Sequence, residues 1–194
     1  MKIRMAIAAA WAACVLTTSP TLAQSQDQSQ DQSQAQSQIQ SSTSRFACDT
    51  ASGRFSEFKI PVNAARFTLS GSLTPALFRA HEQTTPNAIV GVQSSQTGEA
   101  MYIRASASSA SAQGAIVTAE LLREGQREAR EIGTLAIGNV VGFAIIYVQG
   151  GQSRIVVGEQ IVNVNADLGA SYDLRLNCST GDFVFDELVW QVGG

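Results

Sequence analysis

The chain has 194 residues, 44% hydrophobic and only 7% aromatic, with 13 Lys/Arg against 16 Asp/Glu, one His and three Cys. A formal net charge of −3 with no basic stripe disfavours nucleic acid as a partner, because phosphate recognition needs clustered cations. One histidine and a cysteine pair expected to be oxidised exclude a His/Cys metal centre by supply.

Residues 1–23 have the layout of a secretory signal peptide. Lys2 and Arg4 form the positive end, Met5–Leu16 an unbroken apolar core, and Thr21-Leu22-Ala23 a small-residue cleavage site before Gln24. An apolar run of about a dozen residues is too short to span a bilayer, which needs about twenty, so no transmembrane segment is expected after processing. Acylation at Cys14 is the alternative, but Trp11 stands where lipoprotein sites usually carry leucine. From Gln24 to Ser44 the chain is almost only Gln, Ser and Asp, with Ile39 its one large aliphatic residue. Such a low-complexity tract cannot bury enough apolar surface to offset its ordering, so it reads as a disordered spacer rather than a self-association segment. Loss of Lys2 and Arg4 with the leader takes the net charge to −5 and leaves Lys59 as the one lysine.

Residues 45–194 make a β-sandwich domain of ordinary size, a succession of strand-like runs bounded by Gly, Pro, Asn and Ser. Phe55–Val62 alternates, placing Phe58 and Ile60 on one face. Ala65–Leu77 carries Phe67, Leu69 and Leu73, and Ser70-Gly71-Ser72 within it predicts a bulge or bend. Asn87–Gln93 and Glu99–Ala107 flank a turn cluster as a hairpin, with Met101 and Ile103 facing opposite to Tyr102 and Arg104. Ala115–Arg123 and Glu131–Ile137 surround a charged stretch whose spacing would also suit a helix. Gly125 at its centre and the β-type flanks favour a long hairpin with a charged tip. Val140–Gln149 is apolar throughout and predicts a central strand buried on both faces. Ser153–Val157 and Gln160–Val164 follow, separated by Gly158.

The last stretch, Tyr172–Val192, reads as a hairpin: two β-rich runs around Ser179-Thr180-Gly181-Asp182. Cys48 and Cys178 lie near opposite ends of the domain, and export makes their oxidation plausible. A disulfide between them, joining the first strand to the penultimate one, is the expectation. A redox or nucleophilic cysteine would want a CxxC spacing or a nearby histidine, and neither is present.

About ten short strands and no convincing helix predict an all-β fold, an antiparallel two-sheet sandwich or jelly roll with one disulfide. The run of strands, the phrase Phe67-Thr68-Leu69-Ser70-Gly71 and the terminal stretch Gly181–Trp190 resemble the concanavalin A-like (laminin G-like) jelly-roll superfamily over most of 45–194. The resemblance implies carbohydrate recognition. Glucanases of that superfamily carry three acidic residues on one strand, in the order Glu-x-Asp-x-x-Glu or close to it. Asp182, Asp186 and Glu187 depart from that order, and adjacent residues on a strand point to opposite faces and cannot flank one glycosidic bond.

No catalytic residue is nominated. His81 is a loop histidine without a GxSxG nucleophile elbow to serve, and no phosphate-binding glycine loop opens a helix. Ligand-binding candidates are Tyr102 with Arg104, Tyr147, and Trp190, the last better explained by a place in the core. Alternation groups Asp186 with Val184, Leu188 and Trp190, so its carboxylate needs a partner: turn amides, an arginine such as Arg175, or a structural calcium ion. No other cofactor is expected. The whole reads as an exported bacterial protein, periplasmic or secreted, acting as a non-catalytic binding module for a glycan or a cell-envelope component. The alternatives are a structural or assembly protein and a glycoside hydrolase whose residues are unrecognised.

Overall fold

The computed structural model describes residues 44–193. The signal peptide, the acylation site at Cys14 and all of the spacer but Ser44 lie outside the described residues. Ten antiparallel strands follow in chain order: β1 (Ser44–Asn63), β2 (Arg66–Phe78), β3 (Asn87–Ser94), β4 (Ala100–Ser106), β5 (Gly114–Arg123), β6 (Gln126–Ala136), β7 (Val141–Val148), β8 (Ser153–Val157), β9 (Gln160–Val164) and β10 (Ser171–Gly193). Among the described residues no helix is long and apolar enough to cross a membrane.

Hydrogen bonding runs through the strands in the order β6-β5-β4-β3-β10-β2-β7-β8-β9, with β1 laid along β10. The long strand β10 belongs to two leaves. Its residues 172–179 pair with β3, and its residues 181–193 pair with β2. β1 follows it through both halves, 55–63 against the first and 44–50 against most of the second. One leaf is therefore β6-β5-β4-β3 and the other β9-β8-β7-β2, and the β1–β10 ribbon closes the side they share. Between them a single apolar core takes Val90, Ile103 and Leu176 from the first leaf and Leu69, Ile145 and Ile155 from the second. Tyr172 stands among aromatic rings there, edge-on to Phe67 at 5.7 Å and to Tyr147 at 5.3 Å.

The predicted terminal hairpin is instead one continuous strand with a corner in it. Thr180 takes a left-handed backbone (φ 54), and a Cβ on Gly181 would lie 2.8 Å from the Leu77 carbonyl oxygen. Pairing with β1 resumes past the corner, from Phe55↔Ser179 to Thr50↔Gly181, while β1 bulges out through Gly53 (φ 71). The turn chemistry was real, but it bends a ribbon rather than reversing a chain. Cys48 and Cys178 form the expected disulfide, 6.2 Å between Cα atoms, so the bond joins the first strand to the last rather than to the penultimate one. Cys48 lies opposite Phe183 and Cys178 opposite Ser56, which places the bond across the corner.

A second irregularity resets the face of β10. The extra residue lies opposite Ser70–Ser72, between Asp186 and Val189, where Glu187 is left-handed (φ 51). The expected break in β2 is thus carried by its partner, and Gly71 makes room for it: a Cβ there would sit 2.9 Å from the Asp186 carbonyl oxygen. The bulge turns Leu188 and Trp190 toward the core with Phe183 and Phe185, and leaves Asp186 facing out. Asp186 does not share their face. β7 also departs from expectation: Phe143, Ile145 and Tyr147 are buried, whereas Gly142 is exposed and Ala144, Ile146 and Val148 are only half-buried. It lies between β2 and β8 with one face on the core. β5 and β6 form the long hairpin, turning through the left-handed pair Glu124 (φ 52) and Gly125 (φ 76), which suits a two-residue turn.

Candidate functional site

Strand alternation turns every second side chain of the first leaf away from the core, and most of these are polar. Register aligns them in rows across the strands. One row reads Lys59, Arg175, Gly91, Tyr102, Glu120, Ala129, and the next reads Glu57, Asn177, Ile89, Arg104, Thr118, Glu131. Tyr102 lies in the middle. Gly91 beside it is required, because a Cβ there would collide with the Met101 carbonyl oxygen and the Tyr102 ring.

Charge on this face is paired off locally. Glu120, only 2% exposed, accepts from Arg104 Nε at 2.9 Å and from Thr118 Oγ1 at 3.1 Å, with Arg127 Nη1 3.8 Å away. Arg104 also donates to Asn87 Oδ1 at 3.1 Å. Arg175 donates through Nη1 to Gln93, and its Nε lies 3.1 Å from Glu57 Oε1 without hydrogen-bond alignment. Lys59 reaches Asp173 at 2.8 Å. Burial holds the Tyr102 phenol above the usual tyrosine range, while Arg175 beside it pulls the other way. Tyr102 is therefore protonated at neutral pH.

One end of the face carries a shallow, open recess of ≈ 400 Å³ lined by Asn87, Arg104, Ser106, Arg127 and Ser179 and by the loop residues Gln83, Thr84 and Thr85. His81 fastens that loop. Its Nδ1 accepts from the Gln83 N–H at 3.2 Å and lies 3.0 Å from Thr84 Oγ1, and its ring packs over Gly53. Thr84 in turn meets Thr180 at the corner, 2.8 Å between hydroxyl oxygens.

The structure brings Tyr102 and Arg104 together on this face and leaves Trp190 off it. Trp190 is half-buried between the leaves, lining an apolar slot of ≈ 180 Å³ with Phe46, Phe58 and Leu188. Asp186 faces outward on the second leaf, half-exposed, where its Oδ1 accepts from the Glu187 N–H at 2.9 Å and its Oδ2 lies 3.9 Å from Arg45 Nε. Its cationic neighbour is Arg45 rather than Arg175, which belongs to the first leaf. Among the described residues no group of three or more His, Cys, Asp or Glu is placed to hold a metal ion. Arg175, Glu120, Asn87 and Gly91 were not singled out from sequence for this site. Alternation in Tyr172–Cys178 would mark Arg175 as outward-facing, but nothing local says that β10 lies beside β3.

No family model and no curated protein matches the chain by sequence. Solved structures match its fold. Alginate lyase PA1167 from Pseudomonas aeruginosa superposes over 71% of this chain and 74% of its own, with a TM-score of 0.55 at 18% identity. The carbohydrate recognition domain of Emp46p, in its potassium-bound form, covers 85% of this chain and 92% of its own at a TM-score of 0.54 and 10% identity. Alginate lyase AlyC3 gives 77%, 74%, 0.55 and 10% in the same terms. The chain shares their fold, an antiparallel β-sandwich of the concanavalin A-like jelly-roll type.

Proposed function

We propose that the protein binds a glycan on the outward face of its first leaf, around Tyr102, and does not cleave it. The observation that carries this reading is the face itself: a half-buried aromatic ring beside Arg175 and Arg104, whose guanidiniums are fixed by Gln93, Asn87 and Glu120. Sugars are recognised by that combination, an apolar ring face with fixed donors and acceptors around it. The fold supports it, since structures sharing it include a carbohydrate recognition domain and alginate lyases. A neutral glycan suits the paired cations nearest Tyr102 better than a polyuronate does, although Arg127 shares the Glu120 carboxylate with Arg104. Arg104, Arg175 and Lys59 each already face a carboxylate, so a polyuronate would have to displace an internal partner, whereas neutral hydroxyls need not. Burial keeps the Tyr102 hydroxyl protonated, which suits it to donate a hydrogen bond to a sugar oxygen. An exported, disulfide-closed module of this kind would act outside the cytoplasm, on an envelope or extracellular glycan.

Thermal unfolding against neutral and acidic polysaccharides, with calcium or with chelator, tests the reading. A ligand that binds only the folded state raises the midpoint. The expected result is a rise with a neutral glycan, lost in Tyr102→Ala, with no shortening of the polysaccharide. No shift with any glycan, together with self-association, would instead favour an assembly role. β9 is the surface for that reading: a five-residue edge strand without a charged side chain, with Ile161 57% exposed.

A further inference from the structure

The largest exposed aromatic surface among the described residues is Phe55, 75% exposed. It stands on the same outward face as Tyr102, at the rim. Its row across the strands reads Phe55, Ser179, Asn87, Ser106, Ile116: an aromatic post, three small polar residues, and a second apolar post that is 43% exposed. The three polar residues line the shallow recess beside Gln83–Thr85. The loop and the post are held by one piece of structure. Gly53, whose left-handed backbone starts the bulge that presents Phe55, lies under the His81 ring, and a Cβ there would sit 2.5 Å from His81 Nε2.

We infer that this row is a second subsite for the same glycan, in which the Phe55 ring is the platform for one sugar and Ser179, Asn87 and Ser106 meet the hydroxyls of the next. The inference rests on the glycan-binding reading and adds to it a direction and a length. Phe55 and Tyr102 are separated both along and across the strands, so a glycan that meets both runs obliquely over the face. From Phe55 to the Tyr102 row is four residues along β1, about 13 Å, and from β1 to β4 is three strand spacings, about 14 Å. A single sugar cannot touch both rings; an oligosaccharide can. Exposed aromatics at the end of a polar groove are worth most when a ligand covers them, which ties Phe55 to the long ligand and not to the short one.

The test is calorimetric titration of the purified protein with neutral β-glucan and galactan oligosaccharides, from monosaccharide to octasaccharide. Wild type, Phe55→Ala, Phe55→Trp and Tyr102→Ala are compared, each first shown to keep its melting transition. Affinity is expected to climb with length in the wild type and in Phe55→Trp. In Phe55→Ala the climb flattens, by about tenfold for the longest ligands, with the shortest unaffected. If wild type binds and Tyr102→Ala does not, but Phe55→Ala tracks wild type at every length, the subsite is wrong and the glycan reading stands. A wild type that binds none of the ladder removes both. Conversion of a wild-type dimer to a monomer by Phe55→Ala, with unchanged affinities, would assign Phe55 to self-association and overturn the subsite.

Discussion

Glu120 is the side chain on which the binding face depends. It is buried at an outward position, where a carboxylate is tolerable only because Arg104 and Thr118 both donate to it. Glu120→Ala should lower stability by about 2–3 kcal/mol in urea unfolding, since it strands a half-buried guanidinium as well as removing two bonds. The same variant should weaken glycan binding even though Glu120 is too buried to be a principal contact, because Arg104 loses its orientation. Tyr102 and Arg104 were legible in the sequence, where plain alternation in Ala100–Ser106 sets them opposite Met101 and Ile103. Their partners were not. Asn87, Glu120 and Arg175 come from three other strands, and which strand lies beside which is decided by packing over the whole chain. Phe55 was legible in part: alternation over Phe55–Val62 sets it with Glu57 and Lys59, opposite Phe58 and Ile60, but its row with Ser179, Asn87 and Ser106 follows only from the pairing of distant strands.

At the scale of elements, β10 carries the architecture. Its corner at Thr180-Gly181 lets one strand serve both leaves, and the Cys48–Cys178 bond crosses that corner between two buried sulfurs. Replacing both cysteines by serine should reduce stability by about 2–5 kcal/mol, the range for a native bond closing a long loop. Chemical unfolding of the oxidised protein and of the double variant measures it, and an unchanged midpoint would show that the ribbon needs no staple. The strands themselves could be read from their apolar runs and turn residues, and so could the disulfide. The corner could not be told from a hairpin, because Ser179–Asp182 carries turn chemistry either way and only the continued pairing with β1 distinguishes the two. The bulge at Glu187 was hidden likewise, and with it the face of Asp186.

The molecule as a whole holds its three tyrosines protonated. Burial raises Tyr102, Tyr147 and Tyr172 above the ordinary value of about 10. Tyr147 donates to the Gly169 carbonyl at 2.8 Å, and the buried Tyr172 hydroxyl finds no partner among the described residues. Once the pH passes the unfolded-state value, the unfolded chain releases these protons while the folded one keeps them. The folded state then binds more protons, so stability is full below pH 10 and falls as pH rises beyond it. Ultraviolet absorbance titration should show tyrosinate appearing together with loss of β structure; ionisation of all three in a chain still folded would contradict the burial argument. Mapping backbone amide shifts of the labelled protein during titration with a neutral oligosaccharide locates the glycan on the molecule. Bound to the outward face of the first leaf, it should perturb Gly91, Tyr102, Ser106, Arg175 and Ser179 and leave the second leaf silent. Perturbations centred on β7–β9, or on the slot around Trp190, would contradict that placement.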